Sequence, residues 1–60
     1  MKDYDVTIHH ELWNWNTCIM AANEAEASRV LILRLQEENI PLWFMTSAEE
    51  IEYKLVGTWG

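Results

Sequence analysis

The residues able to do chemistry are few: His9 and His10, Cys18, and the acid pairs Glu37–Glu38 and Glu49–Glu50. Neighbouring histidines invite a metal ion. On a strand, however, adjacent side chains point to opposite faces, so His9 and His10 cannot easily chelate one ion together. Cys18 and His9 would be a nucleophile and its base if they shared one face of a sheet. No third residue is in view to orient them, and so small a sheet offers little concavity for a substrate. Cys18 therefore reads as a small packing residue. The acid pairs could imitate catalytic carboxylates, but they fall at expected helix ends, where solvated charge is ordinary. The expectation is no catalytic residue, no cofactor and no metal, in a protein that acts by contact and not as an enzyme.

Charge narrows the kind of contact. Ten acidic residues against four basic ones give a net charge of −6. Direct binding to nucleic-acid phosphates needs clustered Lys and Arg, which are missing here. An acidic surface suits a basic partner, and basic surfaces belong largely to proteins that bind nucleic acid. Acidity also serves solubility alone. One cysteine rules out an intrachain disulfide, in keeping with a reducing compartment. The N-terminus has no apolar stretch of the secretory kind, and no run is long enough to span a membrane. The expectation is a complete, cytoplasmic chain with no membrane partner.

At 60 residues the chain forms one domain, 1–60, near the lower limit of independent stability. Its elements are organised around Asn23–Asn39. Asn23 is an N-cap with Glu26 three residues on, the spacing of a capping box. Ala27, Val30, Leu31, Arg34 and Leu35 form one stripe at helical spacing, and Arg34 is placed to reach Glu38. Glu37 and Glu38 oppose the helix dipole, so fraying is expected there. Asn39 takes the position after the C-cap, and Pro41 prevents continuation. Ile32 and Leu33 fall off the stripe. They are either part of a wide buried face or a contact with a partner or a second copy.

Before the helix, Tyr4–Leu12 alternates: Tyr4, Val6, Ile8, His10 and Leu12 on one face, with Asp3, Asp5, Thr7, His9 and Glu11 on the other. That period is a half-buried strand. Residues 13–16 suit a tight reversal, and Thr17–Ala21 a second strand of an antiparallel hairpin. If Ile19 faces the core, Cys18 and Met20 lie on the opposite face. After the helix, Leu42–Thr46 reads as a third strand, apolar on both sides. Ser47 and Glu50 have capping-box spacing for a short helix through Leu55. Ile51, Tyr53 and Leu55 also alternate as a strand would, which would make Leu42–Tyr53 a hairpin. The cap favours the helix. Residues 57–60 read as extended. The fold class expected is α+β: an antiparallel hairpin, one main helix and a third strand (ββαβ), then a short C-terminal helix or fourth strand.

Trp13, Trp15, Trp43, Phe44 and Trp59 are too many aromatics for one small core to bury. Trp43 is expected in the core. Trp13, near the hairpin tip, and Trp59, in the tail, are the better candidates for interface anchors.

The run Tyr4-Asp5-Val6-Thr7-Ile8, a second short strand, and Ala21-Ala22-Asn23-Glu24-Ala25-Glu26-Ala27 resemble the DpnD/PcfM-type small proteins. The order also resembles the ββαβ phage-encoded inhibitors of bacterial RNA polymerase. The likeness covers about residues 4–46. The chain departs from it at Ile32 and Leu33, where charge is expected, and in its Trp content. What the resemblance implies is a phage- or mobile-element-encoded binding protein aimed at a host or defence complex. Anti-CRISPR proteins are similar in size, acidity and cytoplasmic character. The expected partner is a basic, nucleic-acid-binding protein, met by Asp3, Asp5, Glu11, Trp13, Ile32, Leu33, Glu49, Glu50, Glu52 and Trp59. The alternative is a homodimeric accessory module with Ile32 and Leu33 buried between copies.

Overall fold

A computed structural model describes residues 1–59. The tail reading at Gly60 lies outside the described residues. The architecture is α+β, in the order β1 (Lys2–His9), β2 (Asn14–Ala21), α1 (Glu24–Glu37), α2 (Trp43–Thr46) and β3 (Glu50–Thr58). The three strands make one antiparallel sheet in the order β2-β1-β3, so the N-terminal strand is central.

Alternation in β1 sets the two faces. Tyr4, Val6 and Ile8 are buried, and opposite them on β2 are Ile19, Thr17 and Trp15. β2 begins three residues earlier than its alternation suggests, and the reversal is residues 10–13 instead of 13–16. Leu12 therefore sits in an exposed loop and not on the strand's core face.

α1 covers this inner face and packs chiefly on β2. Ala27, Leu31 and Leu35 are its buried residues, as the stripe predicts, with Val30 packed beside them. Asn23 caps the helix as expected, while the Glu26 side chain closes back one residue before the N-cap, on Ala22. Asn23 Oδ1 accepts from the Glu26 N–H at 2.9 Å, and Glu26 Oε1 accepts from the Ala22 N–H at 3.2 Å. At the other end Asn39 has φ 58, the left-handed conformation that Asn tolerates. The Ile40 N–H donates to the Leu35 carbonyl at 2.9 Å, and the Asn39 N–H to that of Gln36 at 3.1 Å. These are the paired bonds of a Schellman motif, and they close the end where Glu37 and Glu38 oppose the dipole. Arg34 does not pair with Glu38. Its guanidinium donates to Thr17 Oγ1 at 2.8 Å and to the Cys18 carbonyl at 3.3 Å, tying the helix to β2.

Two expectations for the C-terminal third are corrected. Leu42–Thr46 is not a strand but part of a single helical turn. Pro41, with its fixed φ, starts the turn, and its carbonyl accepts from the Phe44 N–H at 3.0 Å. An apolar run of that length suits a buried strand or a helical turn equally, and here the chain must reverse between α1 and β3. Phe44 is the fully buried member, whereas Trp43, expected in the core, is 50% exposed. Nor does Ser47 cap a second helix. Its hydroxyl hydrogen-bonds the Trp43 carbonyl at the end of α2. Residues 50–58 follow their alternation and form β3, which pairs with β1 and not with residues 42–46. A bulge at Val56 shifts the register between Tyr4↔Leu55 and Asp3↔Gly57. The edge of β1 that β3 fills would otherwise leave backbone groups unpaired.

Candidate functional site

No second layer covers the sheet face turned away from α1. Its side chains follow from the register: Met20, Asp3 and Gly57 across one end, then Cys18, Asp5 and Lys54, then Asn16, Thr7 and Glu52, then Asn14, His9 and Glu50. Rows on one face repeat every two residues, about 6.8 Å, so the four rows span roughly 20 Å. The face carries four carboxylates (Asp3, Asp5, Glu50 and Glu52) against one lysine, Lys54, a difference of −3 with His9 neutral.

Two of the four carboxylates, Glu52 and Asp5, have partners within the chain. His9 Nε2 lies 3.0 Å from Glu52 Oε1, the one contact of salt-bridge distance among the described residues. Asp5 accepts from Asn16 Nδ2 at 2.6 Å, and that amide also reaches Thr7 Oγ1 at 2.9 Å and the Val6 carbonyl at 3.1 Å. Asn16 thus holds the middle of the face in place. Trp59 folds beside the Asp3 end. A Cβ placed on Gly57 would stand 3.7 Å from its ring and 3.8 Å from Asp3 Cβ. The Trp59 N–H donates to the Met1 carbonyl at 2.7 Å, and the Met1 ammonium to the Trp59 carbonyl at 3.1 Å. The ring is therefore anchored through its backbone while remaining 58% exposed.

The opposite end of the sheet carries an aromatic cluster that sequence reasoning missed. The His10 ring stacks on Phe44 with centroids 4.6 Å apart, Trp13 stacks on Phe44 at 4.7 Å, and Trp43 meets His10 edge-on at 5.7 Å. His10 Nδ1 accepts from the Leu12 N–H, and Nε2 lies 3.0 Å from the Ser47 hydroxyl, which in turn bonds the Trp43 carbonyl. With Nδ1 accepting, the neutral ring donates from Nε2. One histidine thus joins the 10–13 loop to α2. The signal was present: in the alternation of β1, His10 continues the apolar face of Tyr4, Val6 and Ile8. Leu12, Trp13, Leu42 and Trp43 leave apolar surface exposed around this cluster.

The predicted contact residues therefore divide. Asp3, Asp5, Glu50 and Glu52 share the open face, with Trp59 at its edge. Glu11, Trp13 and Glu49 lie at the hairpin end, where the Glu49 N–H donates to the His9 carbonyl at 2.8 Å. Ile32 and Leu33 sit on α1, which lies against the other side of the sheet. Ile32 is half-buried and Leu33 is 57% exposed.

Cys18 and His9 both belong to the open face, as the alternation suggests, but they are not brought together. Cys18 stands opposite Asp5, four residues from His9 along β1, or about 13 Å. Among the described residues no group of three potential metal ligands converges, no pocket is present, and no helix is long and apolar enough to cross a membrane. Compared with known proteins, the chain matches no protein family, no characterised protein and no solved structure.

Proposed function

We propose that this protein is a small acidic inhibitor that binds a basic, nucleic-acid-binding surface on a host or defence complex. The observation that carries the reading is the uncovered sheet face, with four carboxylates, of which Glu52 meets His9 and Asp5 meets Asn16. Its charges sit on a hydrogen-bonded platform, and β-structure fixes the spacing of their backbone positions before any partner arrives. Carboxylates held this way attract a phosphate-binding surface with no backbone ordering cost at binding. Trp59 at one end and the Trp13–Trp43 cluster at the other supply apolar area of the type that anchors interfaces. The likeness to phage-encoded inhibitors points the same way. On this reading the protein is encoded by a phage or mobile element, of anti-CRISPR or host-takeover type, and works in the host cytoplasm.

The test is capture of the partner from bacterial lysate on immobilised protein, followed by titration of the purified pair. Affinity should fall by tenfold or more between low and high salt, since exposed charges are screened within about 8 Å at physiological ionic strength. The variant Asp3→Asn/Glu50→Gln should bind at least about tenfold more weakly at low salt, and DNA or RNA should compete with the wild type. Affinity that ignores both salt and substitution removes this mechanism.

The exposure of Leu33 favours a second reading, an accessory module that self-associates through α1. Leu33→Lys would then abolish self-association and leave the acidic face untouched.

A further inference from the structure

The two edges of the sheet are not equivalent. On β2 the outer edge is partly used: the Arg34 guanidinium takes the Cys18 carbonyl, and α1 packs chiefly against this strand. On β3 no side chain or backbone group among the described residues bonds the outer edge.

The direction of the β3 backbone groups follows from its neighbours. The Cys18 carbonyl points away from β1, so Cys18 and Asp5 are a non-hydrogen-bonded pair. Asp5 then turns its N–H and C=O toward β3 and bonds Lys54. The bonds of His9 and Met1 toward residues 49 and 59 agree with this parity. Ile51, Tyr53 and Leu55 therefore present their N–H and C=O groups outward.

We infer that β3 pairs antiparallel with β3 of a second copy of this chain, about a two-fold axis at Tyr53. The argument is the charge order of Glu50-Ile51-Glu52-Tyr53-Lys54-Leu55-Val56. Centred on Tyr53, the register sets Glu52 opposite Lys54 of the second copy, twice, and Ile51 opposite Leu55, twice. The outward backbone groups of Ile51, Tyr53 and Leu55 then fall at hydrogen-bonded positions. Glu52 and Lys54 fall at non-hydrogen-bonded positions, where facing side chains stand closest, with Cα atoms about 4.5 Å apart. Centring on Glu52 would oppose glutamate to glutamate, and centring on Lys54 lysine to lysine. Like charges directly opposite destabilise a ladder.

The apolar side agrees. Leu55 is 51% exposed although it stands opposite buried Tyr4, because α1 leans toward β2 and leaves this margin of the inner face thin. In the pair, Ile51 of the second copy covers it. The bulge at Val56 bends the strand just past the last pairing residue and limits the ladder to residues 51–55. The product is a six-stranded sheet, β2-β1-β3-β3-β1-β2, with both acidic faces on the same side. This assembly does not depend on the inhibitor reading. It uses a different surface from Leu33, and its failure would leave the salt test untouched.

Sedimentation of the whole chain from roughly micromolar to millimolar concentration, the range of a small interface, tests it. The expected result is a species of twice the 7.1 kDa chain mass. Lys54→Glu should weaken dimerisation about tenfold or more, and Glu52→Lys/Lys54→Glu should restore it. Leu55→Pro removes an outward N–H that the monomer does not use, so it should abolish the dimer. A retained far-UV circular dichroism spectrum would show that each variant still folds. A monomer throughout the range overturns the proposal. So does a dimer that Lys54→Glu and Leu55→Pro leave unchanged, because another face would then hold it.

Discussion

Phe44 is where the stability of this protein concentrates. It is fully buried in a core of nine among the described residues, and it carries the stacked rings of His10 and Trp13. Truncating such a ring costs about 3–5 kcal/mol. A single core in a chain this short rarely supplies more than about 3–5 kcal/mol in total. Phe44→Ala should therefore leave the protein largely unfolded at 25 °C, seen as collapsed amide dispersion in a proton–nitrogen NMR spectrum. Residue identity alone did not single out Phe44. Trp43 beside it is larger and was the expected core member, but one helical turn selects a different neighbour than a strand would. His10 is the converse case. The alternation of β1 already placed it on the apolar side, yet its hydrogen bonds to Leu12 and Ser47 depend on a loop and a turn that no local pattern specifies.

At the scale of elements, what was legible is what local chemistry dictates. α1 carries its own start, its own stripe and its own stop, and each is found where the sequence puts it: Asn23 with Glu26, Ala27–Leu31–Leu35, and Asn39. The stop can be tested. Asn39→Gly should keep or slightly raise stability, because glycine adopts φ 58 without strain. Asn39→Ala should cost up to about 1 kcal/mol in urea denaturation, because alanine keeps the strain of a Cβ in the left-handed region and loses the polar side chain that offsets it. β3 was less legible because two local signals conflicted. The Ser47–Glu50 spacing spoke for a helix and the Ile51–Tyr53–Leu55 alternation for a strand. The outcome was set from outside the segment: β1 had an open edge 40 residues or more away in sequence, and no local window contains that fact. The open face was legible as a set of residues, since Asp3 and Asp5 alternate with the core of β1. Its second half, Glu50 and Glu52, joins it only through the pairing of β3.

For the molecule as a whole, charge works against compactness. A net charge of −6 on a body of 37 × 19 × 16 Å, with one salt bridge among the described residues, leaves repulsion largely uncompensated. Such self-repulsion destabilises the folded state and is relieved by screening. The urea midpoint should therefore rise when salt is added from about 0.02 M to 0.5 M, while the proposed binding to a basic partner should weaken over the same interval. The opposite signs separate the two effects in one set of samples. A midpoint that falls with salt would mean that attraction and not repulsion dominates the surface.

The strand order β2-β1-β3 also governs time. The first strand of the chain lies at the centre of the sheet, and half of its partners are the last nine residues before Trp59. The hairpin and α1 can form from neighbouring sequence, but the central strand waits for a loop of nearly the whole chain to close. Folding rates fall as contacts become less local, and closing that loop must precede any gain from β3. For its length this protein should thus fold slowly, in a single late event, with no stable fragment on the way. A nascent or clipped chain that lacks β3 exposes the middle of its own sheet, which makes proteolysis at the C-terminal end an effective way to switch the protein off.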